Sequence, residues 1–338
     1  MGLQFVRRWL AVGWLGLGVA GCASQKPPLG TWEGPKSDPQ MTVEKWSYQG
    51  KPGFDIQTSH YAIYTTISDD QSREMLPRVM EGGFAEYRKL AVNIPVSPRP
   101  MDCYIFGARD EWNDFTRTQT GANSVTYLQI RRGGYALGDR YVAYNIGARP
   151  TASVAAHEGW HQFVARNFRG RLPPFLEEGL ATTFEGIDFK DDLPRWNCSV
   201  NPLRAQALRH AVDSGHMWPL DQLIRLHAGN VVNRSGDEIE AFYAECWAFA
   251  RFMREAENGR YLPALHKWLA ETADGTVFDP SHSHTRQGLP WNPGAVRPMM
   301  EHYLGMSLPE IDQAYQAYIH KVAYDEYPAQ WNMGIYAD

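Results

Sequence analysis

Cysteine is scarce, four in 338 residues, and no two of them form a Cys-x-x-Cys pair. That excludes a cysteine zinc knuckle and a small disulfide-stapled scaffold. No block of basic charge occurs, and 33 Lys plus Arg are outnumbered by 38 Asp plus Glu, giving a formal net charge of −5. Without a basic tract the chain has no footprint for a phosphate backbone, so nucleic acid is not an expected partner. No repeat period is visible, which removes solenoids and propellers. What is present is apolar: 43% hydrophobic against 21% charged, ample for one large core or two sub-domains sharing a cleft. Most of the twelve Trp and seventeen Tyr are expected in that core.

A run long enough to cross a bilayer is also missing. Arg7-Arg8 precede a short apolar stretch, Trp9 to Ala20, which reads as the core of a secretory signal. It ends in Val19-Ala20-Gly21-Cys22, which resembles the bacterial lipobox, with Cys22 lipidated at the start of the mature chain. Ala23 and Ser24 follow, with no Asp beside the cysteine, and the resemblance then implies retention at the outer membrane of the bacterial envelope, facing the periplasm or the exterior. Such a protein is anchored to a membrane and does not span it. Residues 1–22 are thus expected to be a signal segment and 23–46 a flexible tether, dense in Pro and Gly from Ser24 to Gln40. Of the remaining Cys103, Cys198 and Cys246, at most one pair can form a disulfide.

The mature chain changes character near Pro150. Before it, Phe54 to Thr66, Met101 to Phe106, Ser124 to Ile130 and Arg140 to Ile146 have the β-branched and aromatic content of strands, with a glycine-bearing turn at 132–138. Asp70 to Ala91 places Met75, Leu76, Val79, Met80, Phe84, Tyr87 and Leu90 at helical steps, and a short helix is expected from Ala108 to Thr116. After Pro150 nearly everything reads as helix between proline-bearing loops. The expected class is α+β: a small mixed sheet in 47–150, then a helical sub-domain in 151–338, together one catalytic unit.

Thr151 to Phe168 has no internal proline and should be a helix that carries His157-Glu158-Gly159-Trp160-His161. At i and i+4 the two histidines stack on one face, where two neutral imidazoles can hold one zinc. Glu158, about 100° round the helix, would stand beside the metal as a base rather than on it as a ligand. Catalytic zinc normally has a third protein ligand and an open position.

That third ligand is suggested by Phe175-Leu176-Glu177-Glu178-Gly179-Leu180-Ala181. This run is similar to the W-L-x-E-G-x-A element of gluzincin metallopeptidases of the aminopeptidase N type, and the match puts the ligand on Glu178, not Glu177. Sixteen residues separate His161 from Glu178, a spacing closer to the bacterial peptidase MA-like families of unknown function. The resemblance covers Thr151 to Glu185 and implies a zincin-like, thermolysin-like fold with one Zn²⁺ on His157, His161 and Glu178. It further implies peptide-bond hydrolysis, with Glu158 taking the proton of a zinc-held water. Glu185, two helical turns past Glu178, corresponds to a carboxylate that supports a zinc-binding histidine; an exposed helix carboxylate is the other reading.

Gluzincins often stabilise the oxyanion with a Tyr or His from the helical part. Tyr243, in an expected helix Ile239 to Glu255, is the candidate, although Phe242, Cys246, Trp247 and Phe249 around it equally suit a core tyrosine. His210 and His216 are further candidates, and His282 with His284 form a loop pair. In thermolysin-like folds the strand before the metal helix is a sheet edge that pairs with an extended substrate, which would be Tyr141 to Asn145 here. The G-x-M-E-N strand by which aminopeptidases read a free amino terminus is missing from Gly138 to Gly147. The expected partner is therefore a peptide or protein substrate. A non-catalytic zincin-fold lipoprotein acting in binding or assembly, and a zinc-dependent cell-wall amidase, are the alternatives.

Overall fold

Strand β1, Thr42–Tyr48, turns through Gln49-Gly50 into β2, Lys51–Gln57. Both turn residues have positive φ, 49° and 81°, as a tight two-residue hairpin requires. The structure is a computed structural model and describes residues 38–130, 133–190, 193–231, 234–280 and 291–324. The expected signal segment, Cys22, most of the tether, and the pair His282 and His284 lie outside the described residues. The tether ends earlier than expected, because Thr42 to Tyr48 pairs along its full length with β2 and rests Trp46 and Tyr48 on an aromatic cluster.

The segment from Phe54 to Thr66, expected as one strand, is two. Thr58 bonds Tyr61 O through both its backbone N (2.9 Å) and its hydroxyl (3.2 Å), closing a turn without Gly or Pro. Strand β3, Tyr61–Thr65, then pairs antiparallel with β2 and parallel with β4, Met101–Phe106. Helix α1, Asp70–Leu90, makes the crossover and is capped by Asp69, which accepts from Ser72 N. Helix α2, Arg109–Thr120, follows β4. Ser124 to Ile130 is not a strand. It closes as a helical turn, α3 (Ser124–Tyr127), with Leu128 N bonded to Ser124 O. Val-Thr-Tyr favours β structure, yet the segment joins no strand ladder among the described residues, and Val125 is left exposed.

A hairpin of β5, Gly134–Leu137, and β6, Arg140–Tyr144, completes a six-stranded mixed sheet in the order β1-β2-β3-β4-β6-β5. This order corrects the expected edge: β6 is internal, between β4 and β5, and the edge strand is β5. Four of the seven residues of the glycine-bearing turn are thus strand.

The remainder is helical apart from one hairpin. Helices α4 (Ala148–Asn167) and α5 (Pro174–Thr183) precede β7 (Ile187–Lys190) and β8 (Leu193–Trp196), a two-stranded sheet in the half expected to be nearly all helix. Then come α6 (Pro202–Ser214), α7 (Leu220–Leu223), α8 (Ala228–Val231), α9 (Gly236–Gly259), α10 (Leu262–Asp274), α11 (Val296–Leu304) and α12 (Leu308–Ala323). The regular part of α9 ends at Glu255, after which Glu257 and Asn258 take positive φ.

Side-chain alternation divides the sheet between two cores. Cys103, Ile105, Tyr141 and Ala143 join α1, α4 and the later helices in one continuous core. Phe106, Val142 and Tyr144 pack with Trp112 and Phe115 of α2 on the opposite face. The protein is therefore α+β, with α4 seated where sheet and helical half meet. Cys103, Cys198 and Cys246 are all free thiols, so the one disulfide allowed among them does not form.

Candidate metal centre

Helix α4 is nearly buried: Ala152, Ala155, Ala156, Trp160 and Phe163 face the core. Gly159 within the motif has a packing cause. Tyr87 of α1 donates its hydroxyl to Ala156 O at 2.6 Å, and a Cβ at position 159 would lie 2.5 Å from that hydroxyl. With Gly159 and Trp160 turned inward, His157, Glu158 and His161 line an open cleft.

Helix α5 begins at Pro174, a residue suited to a first turn. Gly179 lets it lie against the α9 backbone, since a Cβ there would overlap the Cys246 carbonyl oxygen. The contact fixes Glu177 and Glu178 opposite α4. Glu178 Oε2 lies 3.5 Å from His157 Nε2 and 3.5 Å from His161 Nε2. Two donors on a tetrahedral zinc, each about 2.0–2.1 Å from it, are roughly 3.4 Å apart. The three side chains offer donor atoms all within 4.8 Å of one another, so this set fits one zinc ion.

The ring nitrogens that point away are also held. His157 Nδ1 is 2.9 Å from Glu185 Oε1, and His161 Nδ1 is 2.9 Å from Glu177 Oε1. Each carboxylate fixes its imidazole with Nε2 towards the cluster, the arrangement that metal-binding histidines need. Glu185 does this from just beyond α5, not from a continuing helix, because α5 ends at Thr183. It is buried rather than exposed, and is itself held by Asn201 Nδ2 at 2.8 Å and by Arg204 Nη2 at 3.1 Å. Arg204 also reaches Glu240 at 3.1 Å.

The electrostatics follow from crowding carboxylates round two imidazoles. Burial disfavours charge on His157, but its hydrogen bonds to Glu178 and Glu185 prevail and raise its pKa to about 9. His161 moves the same way against burial, under Glu178 and Glu177. Burial opposes ionisation of Glu178 too, yet the two histidines hold it well below the usual carboxylate range. Glu185, despite burial, is drawn down to about 2 by Arg204 and His157. The pocket thus favours positive charge at its centre, which a divalent cation provides. Glu158 behaves differently: burial pushes its pKa up, while the histidines and the Ala136 backbone N–H oppose the rise. A carboxylate raised in this way is a better base than an ordinary glutamate.

Tyr243 is half-buried and lines the cleft with His157, Glu158 and Glu178, its ring 5.1 Å from the Arg204 guanidinium. His210 and His216 are exposed: His210 lies 3.9 Å from Asp237, and His216 bonds Ser214, so neither comes to the site. The supporting residues Glu177, Asn201 and Arg204 escape sequence reading. The adjacent carboxylates Glu177-Glu178 are a signal for the first, but nothing in the sequence marks the other two. No family model matches the chain, and no curated protein or solved structure matches it.

Proposed function

We propose that this chain is a zinc-dependent peptide hydrolase with a zincin-like catalytic fold, and that a lipid on Cys22 anchors it in the bacterial envelope. The observation that carries the reading is the cluster of His157, His161 and Glu178 donors, each imidazole braced from behind by a carboxylate, at the floor of a cleft. A zinc ion on these three would supply Lewis acidity and lower the pKa of a water beside Glu158.

The protein's own groups account for the remaining chemistry. Glu158 takes a proton from the attacking water and delivers it to the leaving amine. Its partial desolvation and the Ala136 N–H hold it at the cleft wall. Tyr243 lines the same cleft from α9 and would donate to the oxyanion of the tetrahedral intermediate. The edge strand β5 borders the same cleft through Gly134 and Ala136, where an extended peptide would add to the sheet beside Glu158. That edge takes over the role expected of Tyr141 to Asn145.

Two measurements test this reading. The purified full-length protein should contain one zinc per chain by elemental analysis. Zinc-loaded wild type should cut members of a broad peptide library that Glu158→Gln leaves intact. Stoichiometric zinc with no difference between the two proteins would point to a binding lipoprotein instead. Cleavage of purified murein but not of peptides would point to a cell-wall amidase.

A further inference from the structure

Helix α4 carries a second row of residues beside its histidines. Val154, Glu158, Gln162 and Arg166 follow one another at four-residue steps, so they lie along one face of the helix. The β5–β6 hairpin runs along that row. A Cβ on Gly133, the residue before β5, would lie 3.3 Å from the Val154 methyl groups. Ala136 and Glu158 line the cleft together. At the far end Gln162 and Arg166 both grip Asp139 in the hairpin turn, the first at its carbonyl and the second at its carboxylate.

Gln162 is fully buried and donates from its amide nitrogen to two backbone carbonyls, Asp139 O and Asp102 O, each at 2.8 Å. Its amide oxygen accepts from Cys103 Sγ at 3.5 Å. Arg166 Nη2 lies 2.6 Å from Asp139 Oδ2 and donates to Pro100 O at 3.2 Å. The turn is thus tied to the metal helix and, through β4 and the residue just before it, to the middle of the sheet. An apolar side chain would fill the same space at less desolvation cost; a buried amide whose bonds are all met fixes a position instead.

What these bonds hold is the edge beside the cleft. Gly138-Asp139 is a two-residue turn with Gly138 at φ 60°, so Leu137 and Arg140 close the ladder as a hydrogen-bonded pair. Alternation then commits Leu137 and Tyr135 to β6 and turns the N–H and C=O of Ala136 and Gly134 away from it. Gly134 and Ala136 are both cleft residues. A shift of the turn would slide this edge past Glu158 and the histidines, and a misplacement of about 1 Å at a reacting bond can cost on the order of 100-fold in rate.

Resting on the peptide-hydrolase reading, we propose that Gln162 and Arg166 are positioning residues. By holding the β5–β6 turn against the metal helix they set the register in which an extended peptide meets Glu158 and the histidines. Neither is itself a candidate metal ligand.

The test compares a long peptide, able to pair along β5, with a short one that shares its central dipeptide and lacks the flanking residues. Binding is measured by fluorescence anisotropy on zinc-loaded full-length Glu158→Gln, with each further substitution added to that protein. We expect the long peptide to bind more tightly than the short one. Gln162→Met and Arg166→Met should each lower that long-to-short ratio by roughly tenfold, the scale of one strand hydrogen bond lost. Asp139→Ala removes the Arg166 contact from a half-exposed side chain, should lower the ratio in the same direction, and keeps the test open if Gln162→Met fails to fold. A merely structural role would weaken both peptides alike. An unchanged ratio in the folded variants, or equal binding of the two peptides before any of these substitutions, overturns the proposal. Peptide cleavage by zinc-loaded wild type with a ratio that ignores the substitutions would leave the hydrolase standing and remove this inference. A substitution-sensitive ratio without any cleavage would do the reverse.

Discussion

Glu177 Oε1 lies 2.9 Å from His161 Nδ1, while its neighbour Glu178 lies 3.5 Å from Nε2 of the same ring. Two consecutive residues of one helix thus address the two nitrogens of one imidazole. On the proposed reading Glu178 is the metal ligand, while Glu177 orients the ring and makes it more basic. The pair should separate on substitution. Glu178→Gln should lose stoichiometric zinc, whereas Glu177→Gln should keep it with affinity weakened by about 10- to 100-fold. Competition against a chelator of known affinity distinguishes these outcomes. Equal losses would mean that the two carboxylates share one role.

Arg204 is the next layer outward. It is 5% exposed and is bonded to Glu185, which is also 5% exposed and holds His157. Removing one partner of a buried pair leaves the other charge uncompensated, at a cost of roughly 3–5 kcal/mol. Arg204→Met should therefore lower unfolding stability on that scale in urea titrations and should weaken zinc binding, although Arg204 is not itself a candidate ligand. Stability close to wild type would show that Glu185 is protonated or rehydrated without it.

Much of this site was readable before any geometry. His157, Glu158 and His161 were legible because a helix turns their spacing directly into a shared face. Glu178 was legible because its surroundings resemble a known element. Arg204 and Asn201 were not, since a residue's partners across 16 to 19 positions depend on how the chain returns, and that is settled by packing. The sheet edge was misplaced for the same reason. Chain order puts Tyr141 to Tyr144 next to the metal helix, but β6 pairs with β4 on one side, so its hairpin partner β5 becomes the border. Val125 and Thr126 show the limit of local propensity, as β-forming residues that join no ladder among the described residues close into a helical turn.

Gly179 should be intolerant of even a methyl group. A Cβ at this position overlaps the Cys246 carbonyl of α9, which is backbone and cannot swing aside. Gly179→Ala would force α5 and α9 apart, with a stability loss of about 1–3 kcal/mol typical of overpacking. Glu178 is the adjacent residue, so the displacement should also weaken zinc binding. Thermal unfolding with and without zinc checks both. A lower melting temperature with unchanged zinc affinity would show that α5 shifts as a unit with its ligand.

Tyr243 has two separable roles. As an oxyanion donor it acts only in the transition state, so Tyr243→Phe should lower kcat by roughly 100-fold or more with KM little changed. As a packing residue alone it would tolerate the change, because Phe keeps the ring near Arg204 and loses only the hydroxyl, leaving both kcat and melting temperature near wild type. Peptide cleavage kinetics set beside thermal melts decide between them.

Glu245 offers a pH signature away from the metal. Its side chain is buried in α9, Oε1 accepts the Trp218 backbone N–H at 2.9 Å, and Oε2 has no partner among the described residues. Burial raises its pKa from 4.5 to about 8, with the Trp218 N–H opposing. The folded state then holds a proton that the unfolded chain releases above pH 4.5, so stability falls as pH rises from 4.5 to about 8. At 1.36 kcal/mol per pH unit the accumulated loss is on the order of a few kcal/mol. Glu245→Gln keeps an acceptor for Trp218 and cannot ionise, so it should flatten this part of the profile. The variant should match wild type near pH 4.5 and exceed it increasingly towards pH 8 in melting temperature. Parallel profiles for the two proteins across that range would mean that Glu245 is solvated or paired when ionised.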